Sequence, residues 1–208
     1  MDVFLETERL VLRRFTADDV DNLVELDGDP DVMRYLNGGK PTPREEIEQE
    51  TLPWFMGYYT RSEGYGFWVA IEKDTGAFLG WFHFRPYDGS PADEPELGYR
   101  LRKEAWGKGY ATEGSRALVQ KGFLELGVRR VVAFTYGENT ASRRVMEKAG
   151  LTLVRTFRMT PQQLEEILGV TDPTIFPGDD VEYAVTKEEW ERQQAACALP
   201  LQGRAPAE

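Results

Sequence analysis

One stretch near the middle of the chain, Glu96–Gly114, constrains the fold more than any other part of the sequence. Its first half alternates apolar Leu97, Tyr99 and Leu101 with polar neighbours, which predicts a strand with one buried face. From Trp106 the sequence becomes glycine-spaced, and apolar residues then recur every three or four positions, which predicts a helix. This order of strand, tight turn and helix start gathers several backbone N–H groups in one small volume. Because the positive end of the helix dipole lies there too, the sequence predicts an anion site.

The glycines of this turn narrow the kind of anion site. Gly107 and Gly109 let the main chain approach an anion without interference from a Cβ atom. A P-loop requires Gly-x-x-x-x-Gly-Lys-Ser/Thr, and Gly107-Lys108-Gly109 lacks that spacing. A dinucleotide fingerprint requires a third glycine where this chain has Thr112. The remaining alternative is the pyrophosphate turn of an acyl-CoA-dependent transferase.

Two motifs resemble the GNAT superfamily of N-acetyltransferases, particularly its RimJ/RimL-like branch. The family signature Gln/Arg-x-x-Gly-x-Gly/Ala matches the residues from Trp106 to Ala111, with Trp106 in place of the first Gln or Arg. A second family motif, Asn-x-x-Ser followed by Glu-Lys-x-Gly-Phe/Leu, matches the residues from Asn139 to Leu151. Two motifs in the family's order are a stronger signal than either motif alone.

The resemblance covers the chain from about Glu8 to about Trp190 by element order, and it implies the fold. We expect an α/β fold with a mixed, mostly antiparallel sheet that is splayed at the central strand and flanked by helices on both faces. The residue pattern agrees, since an early helical pair and three strands precede alternating helices and strands. We expect a single acyl-CoA N-acyltransferase domain over residues 1–194 and a disordered tail over residues 195–208.

The resemblance also implies how acetyl-CoA is held as the co-substrate. The backbone of the glycine turn would cradle the diphosphate, which assigns to it Gly107, Lys108, Gly109, Tyr110, Ala111 and Thr112. The pantetheine arm would follow the strand at Arg100, Leu101 and Arg102, where the sheet opens and strand amides lack partners. Asn139, Ser142 and Arg143 of the second motif complete the predicted cofactor-binding set. Gly98 fits an opened strand, because a strand glycine often marks a bulge or a close approach.

The implied chemistry is direct transfer of an acyl group from a thioester to an amine, in which the amine loses a proton and the thiolate gains one. Ser142 would hydrogen-bond the sulfur and help to protonate it. Many GNAT enzymes place a tyrosine acid on the same helix, but the matching residue here is Met146, which cannot donate a proton. Glu96 is the candidate general base, directly or through water. His83, the only histidine, and water itself are the alternatives.

Composition limits the partners and the compartment. The net charge of −11 disfavours nucleic acid and anionic membranes as partners and is compatible with a cationic amine. The single cysteine, Cys197, permits no intrachain disulfide, which fits a reducing compartment. No apolar run approaches the ~20 residues of a membrane span, and the N-terminus lacks a signal-peptide layout. We therefore expect a cytoplasmic protein without a metal.

The sequence thus predicts an acetyl-CoA-dependent N-acetyltransferase that acts on a primary amine, either a protein N-terminus or a small molecule. One alternative is a non-catalytic module that binds or senses CoA, because sites are grafted onto folds. Others are transfer to oxygen and transfer of a longer acyl chain. A homodimer formed through an exposed sheet edge is a further expectation. The acceptor, the acyl-chain preference and the oligomeric state stay open at this point.

Overall fold

One β-sheet organises the residues that the computed structural model describes, which are 2–87, 89–172 and 174–198. Eight strands form it, in the spatial order β1-β2-β3-β4-β5-β6-β8-β7. The strands are β1 (Val3–Glu6), β2 (Leu10–Arg14), β3 (Gly66–Glu72), β4 (Phe78–Pro86), β5 (Pro95–Leu101), β6 (Arg130–Tyr136), β7 (Thr152–Phe157) and β8 (Asp180–Thr186).

The sheet is antiparallel except where β5 meets β6. These two strands are parallel and share a single bridge, between Glu96 and Val132. Every other neighbouring pair is antiparallel and matches at three or more positions. The sheet therefore parts beyond Glu96, which confirms the mostly antiparallel sheet splayed at its central strand.

Helices cover both faces of the sheet, as predicted. They are α1 (Val20–Gly28), α2 (Pro30–Asn37), α3 (Arg44–Glu46), α4 (Leu52–Gly57), α5 (Tyr110–Glu125), α6 (Thr140–Lys148), α7 (Pro161–Leu168) and α8 (Lys187–Ala198). Alternate residues of β3 face different helical layers. Phe67 and Val69 pack with the α1–α4 layer, whereas Trp68 and Ala70 pack with the α5 and α6 layer. Each face thus has its own hydrophobic core.

The α1–α4 layer is locked to the sheet through aromatic packing. Phe55 of α4 stacks on Phe67 of β3, with ring centroids 3.9 Å apart and an interplanar angle of 12°. The sequence predicts that Pro53 kinks or ends its helix. The structure places a π-helical turn, Ile47–Thr51, directly before α4, and α4 then continues through Pro53. A widened turn before a proline fits the loss of one backbone donor and the crowding by its ring.

The α5 helix lies close against β4 because two of its residues are glycines. A Cβ atom on Gly114 would lie 2.4 Å from Cζ of Phe82, and one on Gly122 would lie 2.6 Å from Cζ of Phe84. Neither buried ring has room to withdraw, since both are fully buried. This close packing fixes the helix whose N-terminus follows the glycine turn.

Two sequence-based boundaries differ from the structure. The sequence pattern predicts a first strand over residues 8–14, whereas the structure has β1 before it and β2 only from Leu10. The predicted tail is also wrong over residues 195–198, because α8 continues to Ala198 and carries the exposed Cys197. The run Ala195-Ala196-Cys197-Ala198 has enough helix propensity to extend α8. Residues 199–208 lie outside the described part of the chain.

None of the helices in the described residues combines the length and the apolarity that a membrane span requires.

We expect Gly114→Ala to lower the free energy of unfolding by roughly 1–3 kcal/mol, because the added methyl group overpacks the contact with Phe82. Urea unfolding of both proteins measures the difference. Gly57→Ala is the matched control, since Gly57 has helical dihedral angles and open space around it. Equal losses in the two variants would show that α5 does not depend on this close contact.

Candidate functional site

The turn between β5 and α5 has the geometry of an anion cradle. A short 3-10 turn, Lys103–Ala105, follows β5, and α5 begins at Tyr110. Between them Gly107 has φ 71° and Gly109 has φ 87°. Both angles lie in the left-handed region, which glycine adopts without the steric cost that a Cβ atom brings.

The N–H groups of this turn lack an acceptor among the described residues. Within the described ranges, no backbone or side-chain atom accepts a hydrogen bond from the N–H of any of the residues 107–112. Glu113 is the first to donate, to the carbonyl oxygen of Gly109 at 3.0 Å. A helix start leaves about four such groups unpaired, and the glycine turn adds its own. The result is a concentration of free donors at the positive end of α5.

Arg9 braces the turn from the loop between β1 and β2. Its Nη1 donates to the carbonyl oxygen of Lys108 at 3.0 Å, and its Nε donates to Oε2 of Glu113 at 2.7 Å. A trans peptide plane points its C=O and N–H in opposite directions. By holding the Lys108 carbonyl, Arg9 therefore directs the Gly109 N–H away from itself. The hydroxyl of Thr7 donates to Glu113 as well, at 2.5 Å.

Tyr110 fastens the other side of the same turn. Its hydroxyl donates to the carboxylate of Glu72 on β3, and the Arg9 guanidinium lies 4.5 Å from its ring centroid.

Of the predicted cradle residues, Lys108 has an exposed side chain, while Ala111 and Thr112 are partly exposed on the first turn of α5. A groove of about 600 Å³ borders the turn at Gly109 and Thr112. The basic residues among those that line it are Arg9, Arg116 and Lys148.

The opened edge of β5 presents fewer free amides than predicted. The N–H of Arg102 donates to the carbonyl oxygen of Leu79 at 2.8 Å, so this amide is not free, contrary to the expectation. Successive strand residues face opposite edges, and the N–H groups of Tyr99 and Leu101 therefore point toward the gap beside β6. The indole Nε1 of Trp106 donates to the carbonyl oxygen of Leu101 at 2.8 Å. Trp106 thus ties the end of β5 to the cradle.

The basic side chains of β5 face the α1 layer instead of the cradle. Nη1 of Arg100 lies 2.6 Å from Oδ2 of Asp27, and Nη2 of Arg102 lies 2.7 Å from Oε2 of Glu25. Both carboxylates belong to α1, which packs on the opposite face of the sheet from α5. The structure therefore does not bring the Arg100 and Arg102 side chains to the cradle.

The start of α6 reaches the gap from the α5 side. Asn139 caps the helix, and its Oδ1 accepts from the N–H of Ser142 at 3.2 Å. Oγ of Ser142 accepts from the hydroxyl of Tyr99 at 3.0 Å. Arg143 turns away, because its Nε donates to the Tyr183 hydroxyl at 3.1 Å and its Nη1 to the Gly137 carbonyl at 3.2 Å. Asn139 and Ser142 are thus together at the gap, and the Arg143 side chain is held by internal partners.

Sequence reasoning missed Tyr99. It was interpreted only as one of the apolar positions of β5, and its hydroxyl turns out to meet the residue predicted to contact the sulfur. The available signal was a tyrosine among leucines on the buried face, since a buried phenol requires a hydrogen-bond partner. Met146, which stands where many GNAT enzymes have their tyrosine, is buried at 4% exposure.

Glu96 lies on the other face of β5, in a small charged cluster. Its Oε1 is 3.7 Å from Nε2 of His83, and its Oε2 is 3.8 Å from Nη2 of Arg85. Burial alone would raise the pKa of Glu96, but His83 and, to a lesser degree, Arg85 hold that pKa below its usual range. The carboxylate therefore stays ionised at neutral pH.

Gly98 makes room for this cluster. A Cβ atom there would lie 2.4 Å from Nε2 of His83, which is its cross-strand partner. The β4–β5 register is continuous at this point, so Gly98 marks a close approach and not a bulge. The structure thus places His83, the alternative base, beside the candidate base Glu96.

The aromatic residues of α4 extend the cluster toward solvent. The Arg85 guanidinium lies 5.3 Å from the ring of Trp54, whose side chain is 44% exposed. The helical spacing favours a core position for both Trp54 and Phe55, but only Phe55 is buried. Among the described residues, no group of three or more His, Cys, Asp or Glu side chains is placed to hold a metal ion.

A family model, a related sequence and solved structures all match this chain to acetyltransferases. A family model described as "Acetyltransferase (GNAT) domain" matches residues 9–152. The chain is 36% identical over 197 residues to the FsC-acetyl coenzyme A-N(2)-transacetylase of Aspergillus fumigatus, covering 91% of this chain and 79% of the relative.

Solved structures agree in fold. A GNAT-family acetyltransferase from Bacillus anthracis matches with a TM-score of 0.69 and 27% identity, covering 90% of this chain and 99% of that one. The ribosomal L7/L12 α-N-protein acetyltransferase RimL, solved with coenzyme A, matches with a TM-score of 0.70 over 89% of this chain and 98% of its own. Its identity of 20% makes this a likeness of fold alone.

We expect Glu113→Gln to lower the free energy of unfolding by roughly 1–3 kcal/mol at neutral pH, because it weakens the charged contact with Arg9. Burial would raise the pKa of Glu113, but hydrogen bonds from Thr7 and Arg9 lower it overall. The stabilisation is thus present above the unfolded pKa of about 4.3 and is lost as pH falls through the lower folded pKa. The difference in stability between wild type and variant should therefore shrink as the pH falls below that unfolded value.

Urea unfolding across this pH range measures the difference, with Glu104→Gln as the control, since Glu104 is exposed on the preceding 3-10 turn. A loss that stays constant with pH would contradict the brace.

Proposed function

The chain belongs to the GNAT family of acetyltransferases, acyltransferases that act on amines, and from this premise we propose that it transfers an acetyl group from acetyl-CoA directly to a primary amine. The observation that carries the proposal is the set of free N–H groups at residues 107–112, located where β5 and β6 part. Free donors at a helix start suit a diphosphate, and an unpaired strand edge beside them suits an extended amide-containing arm.

The residues present fit CoA in a continuous path. The backbone of residues 107–112 would hold the diphosphate, and the N–H groups of Tyr99 and Leu101 would meet the arm in the gap. Ser142 lies at the inner end of that path, hydrogen-bonded to Tyr99. When bound, acetyl-CoA supplies the activated acetyl group as a thioester.

Glu96 is the residue that we propose to accept the proton of the amine, directly or through water. It projects from the same strand as Tyr99 but to the opposite face, next to the gap at its single bridge to Val132. Its lowered pKa keeps it in the base form at neutral pH but also makes it a weak base. A water molecule between Glu96 and the amine would then carry the proton over the remaining distance.

The relative at 36% identity supports a proposal for the acceptor. The name of that protein describes transfer from acetyl coenzyme A to an N(2) position of FsC. We propose that this chain likewise acetylates an amino nitrogen. We favour a small-molecule amine over a protein N-terminus as the acceptor, because the likeness to RimL extends only to the fold. The acidic net charge of −11 favours a cationic amine.

The proposal also covers location and assembly. We infer a cytoplasmic protein from the single cysteine and the composition. One of the two edge strands of the sheet is β7, whose Leu153 and Val154 are about half exposed, and a homodimer through this edge stays a prediction. Sedimentation of the purified chain at several concentrations tests it.

Calorimetry with acetyl-CoA, followed by detection of released thiol with a panel of amines that includes FsC, tests the function. Saturable binding and amine-dependent thiol release support it. Binding without release from any amine would favour the non-catalytic alternative, and release with hydroxyl acceptors only would favour transfer to oxygen.

We expect Gly107→Ala to weaken CoA binding at least about tenfold. Alanine pays about 1 kcal/mol for the left-handed conformation of this position, so the turn should change shape, and the added methyl group would lie beside the free N–H groups. Gly127→Ala is the matched control. Gly127 has φ 69° against 71° for Gly107, and both have open space around them, so the backbone strain is the same. Calorimetry with CoA measures both variants. Equal effects would show that the turn is not the CoA cradle.

We expect Glu96→Gln to lower kcat about a hundredfold through loss of the base, with CoA affinity unchanged. His83→Gln removes the group that most lowers the pKa of Glu96, so that pKa should rise and the acid limb of the kcat/KM profile should move to higher pH. Steady-state rates over pH measure both effects. Full activity in Glu96→Gln together with none in His83→Gln would make the histidine the base instead.

A further inference from the structure

The hydroxyl of Tyr99 contacts two oxygen atoms of Ser142. It lies 3.0 Å from Oγ and 3.5 Å from the carbonyl oxygen of the same residue. Tyr99 itself is held on β5 by packing against Phe82, with ring centroids 5.8 Å apart. The two residues are 43 positions apart in the chain and meet only because α6 begins beside the gap in the sheet.

Counting donors and acceptors shows what this contact leaves free. A serine hydroxyl has one hydrogen to donate and two lone pairs to accept with. One lone pair of Ser142 receives the Tyr99 hydrogen, and the N–H of Ser142 is used by Asn139. Within the described residues, the Ser142 hydroxyl donates to no protein atom. Its hydrogen is therefore uncommitted and must point away from Tyr99.

Tyr99 is the donor in this pair, and its hydroxyl keeps the hydrogen that it donates over the working pH range. Burial raises the pKa of its hydroxyl to about 12. The phenol therefore remains protonated at neutral pH and keeps its hydrogen available for Ser142.

We propose that Tyr99 is a positioning residue, which holds Ser142 so that the serine hydrogen points at the sulfur of bound CoA. The inference rests on the proposed function and adds to it a residue on the central strand. No bond to Tyr99 or Ser142 is made or broken. Ser142 donates a hydrogen bond that stabilises negative charge on sulfur, and the proton that the thiolate finally takes comes from solvent.

This arrangement supplies a phenol to the site from the strand and not from the helix. Met146 on α6 has no hydrogen to donate, whereas Tyr99 approaches the same helix from β5. The phenol does not reach the sulfur itself in this scheme. It decides the direction in which a smaller hydroxyl donates.

Three variants test the inference: Tyr99→Phe, Ser142→Ala and the double variant. The first readout does not involve turnover. It is the pKa of the CoA thiol in the binary complex, followed by the ultraviolet absorbance of the thiolate during a pH titration. A hydrogen bond to sulfur lowers that pKa, so we expect it to rise in Tyr99→Phe to the value found in Ser142→Ala.

The second readout is steady-state kinetics with acetyl-CoA and an accepted amine. We expect Tyr99→Phe to lower kcat about tenfold with KM for acetyl-CoA unchanged, and the double variant to be no worse than Ser142→Ala. Tyr183→Phe is the control, because its phenol also contacts α6, through Arg143 and Glu147, but does not contact Ser142. It should leave both readouts at their wild-type values.

Three outcomes would overturn the inference. A thiol pKa in Tyr99→Phe equal to that of wild type would show that the serine needs no positioning. Multiplying losses in the double variant would show that the two residues act independently. An effect of Tyr183→Phe as large as that of Tyr99→Phe would show a general loosening of α6. Absence of CoA binding in wild type would be a different result, because it removes the proposed function before any variant is compared.

Discussion

The parting of β5 and β6 is the constraint on which the site depends. Neighbouring strands normally satisfy each other's backbone groups, and here they do so at a single bridge, between Glu96 and Val132. Beyond that bridge the edge of β5 has amides without a strand partner, next to a helix start with further unpaired N–H groups. Burying an unpaired N–H group costs free energy, whereas a ligand with its own acceptors can form the missing hydrogen bonds. The fold itself therefore produces a receptive surface before any special side chain is considered.

The side chains around the gap keep that surface in shape. Arg9 and Glu113, which are 104 positions apart in sequence, hold the cradle through their contact. Trp106, directly before the cradle, donates to the end of β5. Gly114 and Gly122 let α5 pack closely against β4, and this packing holds the helix in place. Because these contacts are charged, aromatic or closely packed, the free N–H groups are fixed in direction before a ligand arrives, which reduces the entropy cost of binding.

Local patterns made much of this predictable. The glycine turn, the helix after it and the Asn139 cap were read from adjacent residues, and all three are in the structure. Contacts between distant segments were not readable. The side chains of Arg100 and Arg102, which belong to the predicted cofactor-binding set, pair with α1, whose position depends on the packing of a whole layer. Tyr99 looked like a core residue, because nothing near it in sequence indicates that Ser142 lies within hydrogen-bond distance.

The alternation of β5 has a consequence for traffic through the site. Tyr99 faces the α5 and α6 layer, whereas Glu96 faces the α1–α4 layer, where Trp54 remains half open to solvent. Under the proposed function, the amine would approach this opening from the Trp54 side and CoA from the cradle side. A bulky acceptor on the Trp54 side would then leave the departure of CoA from the cradle unobstructed.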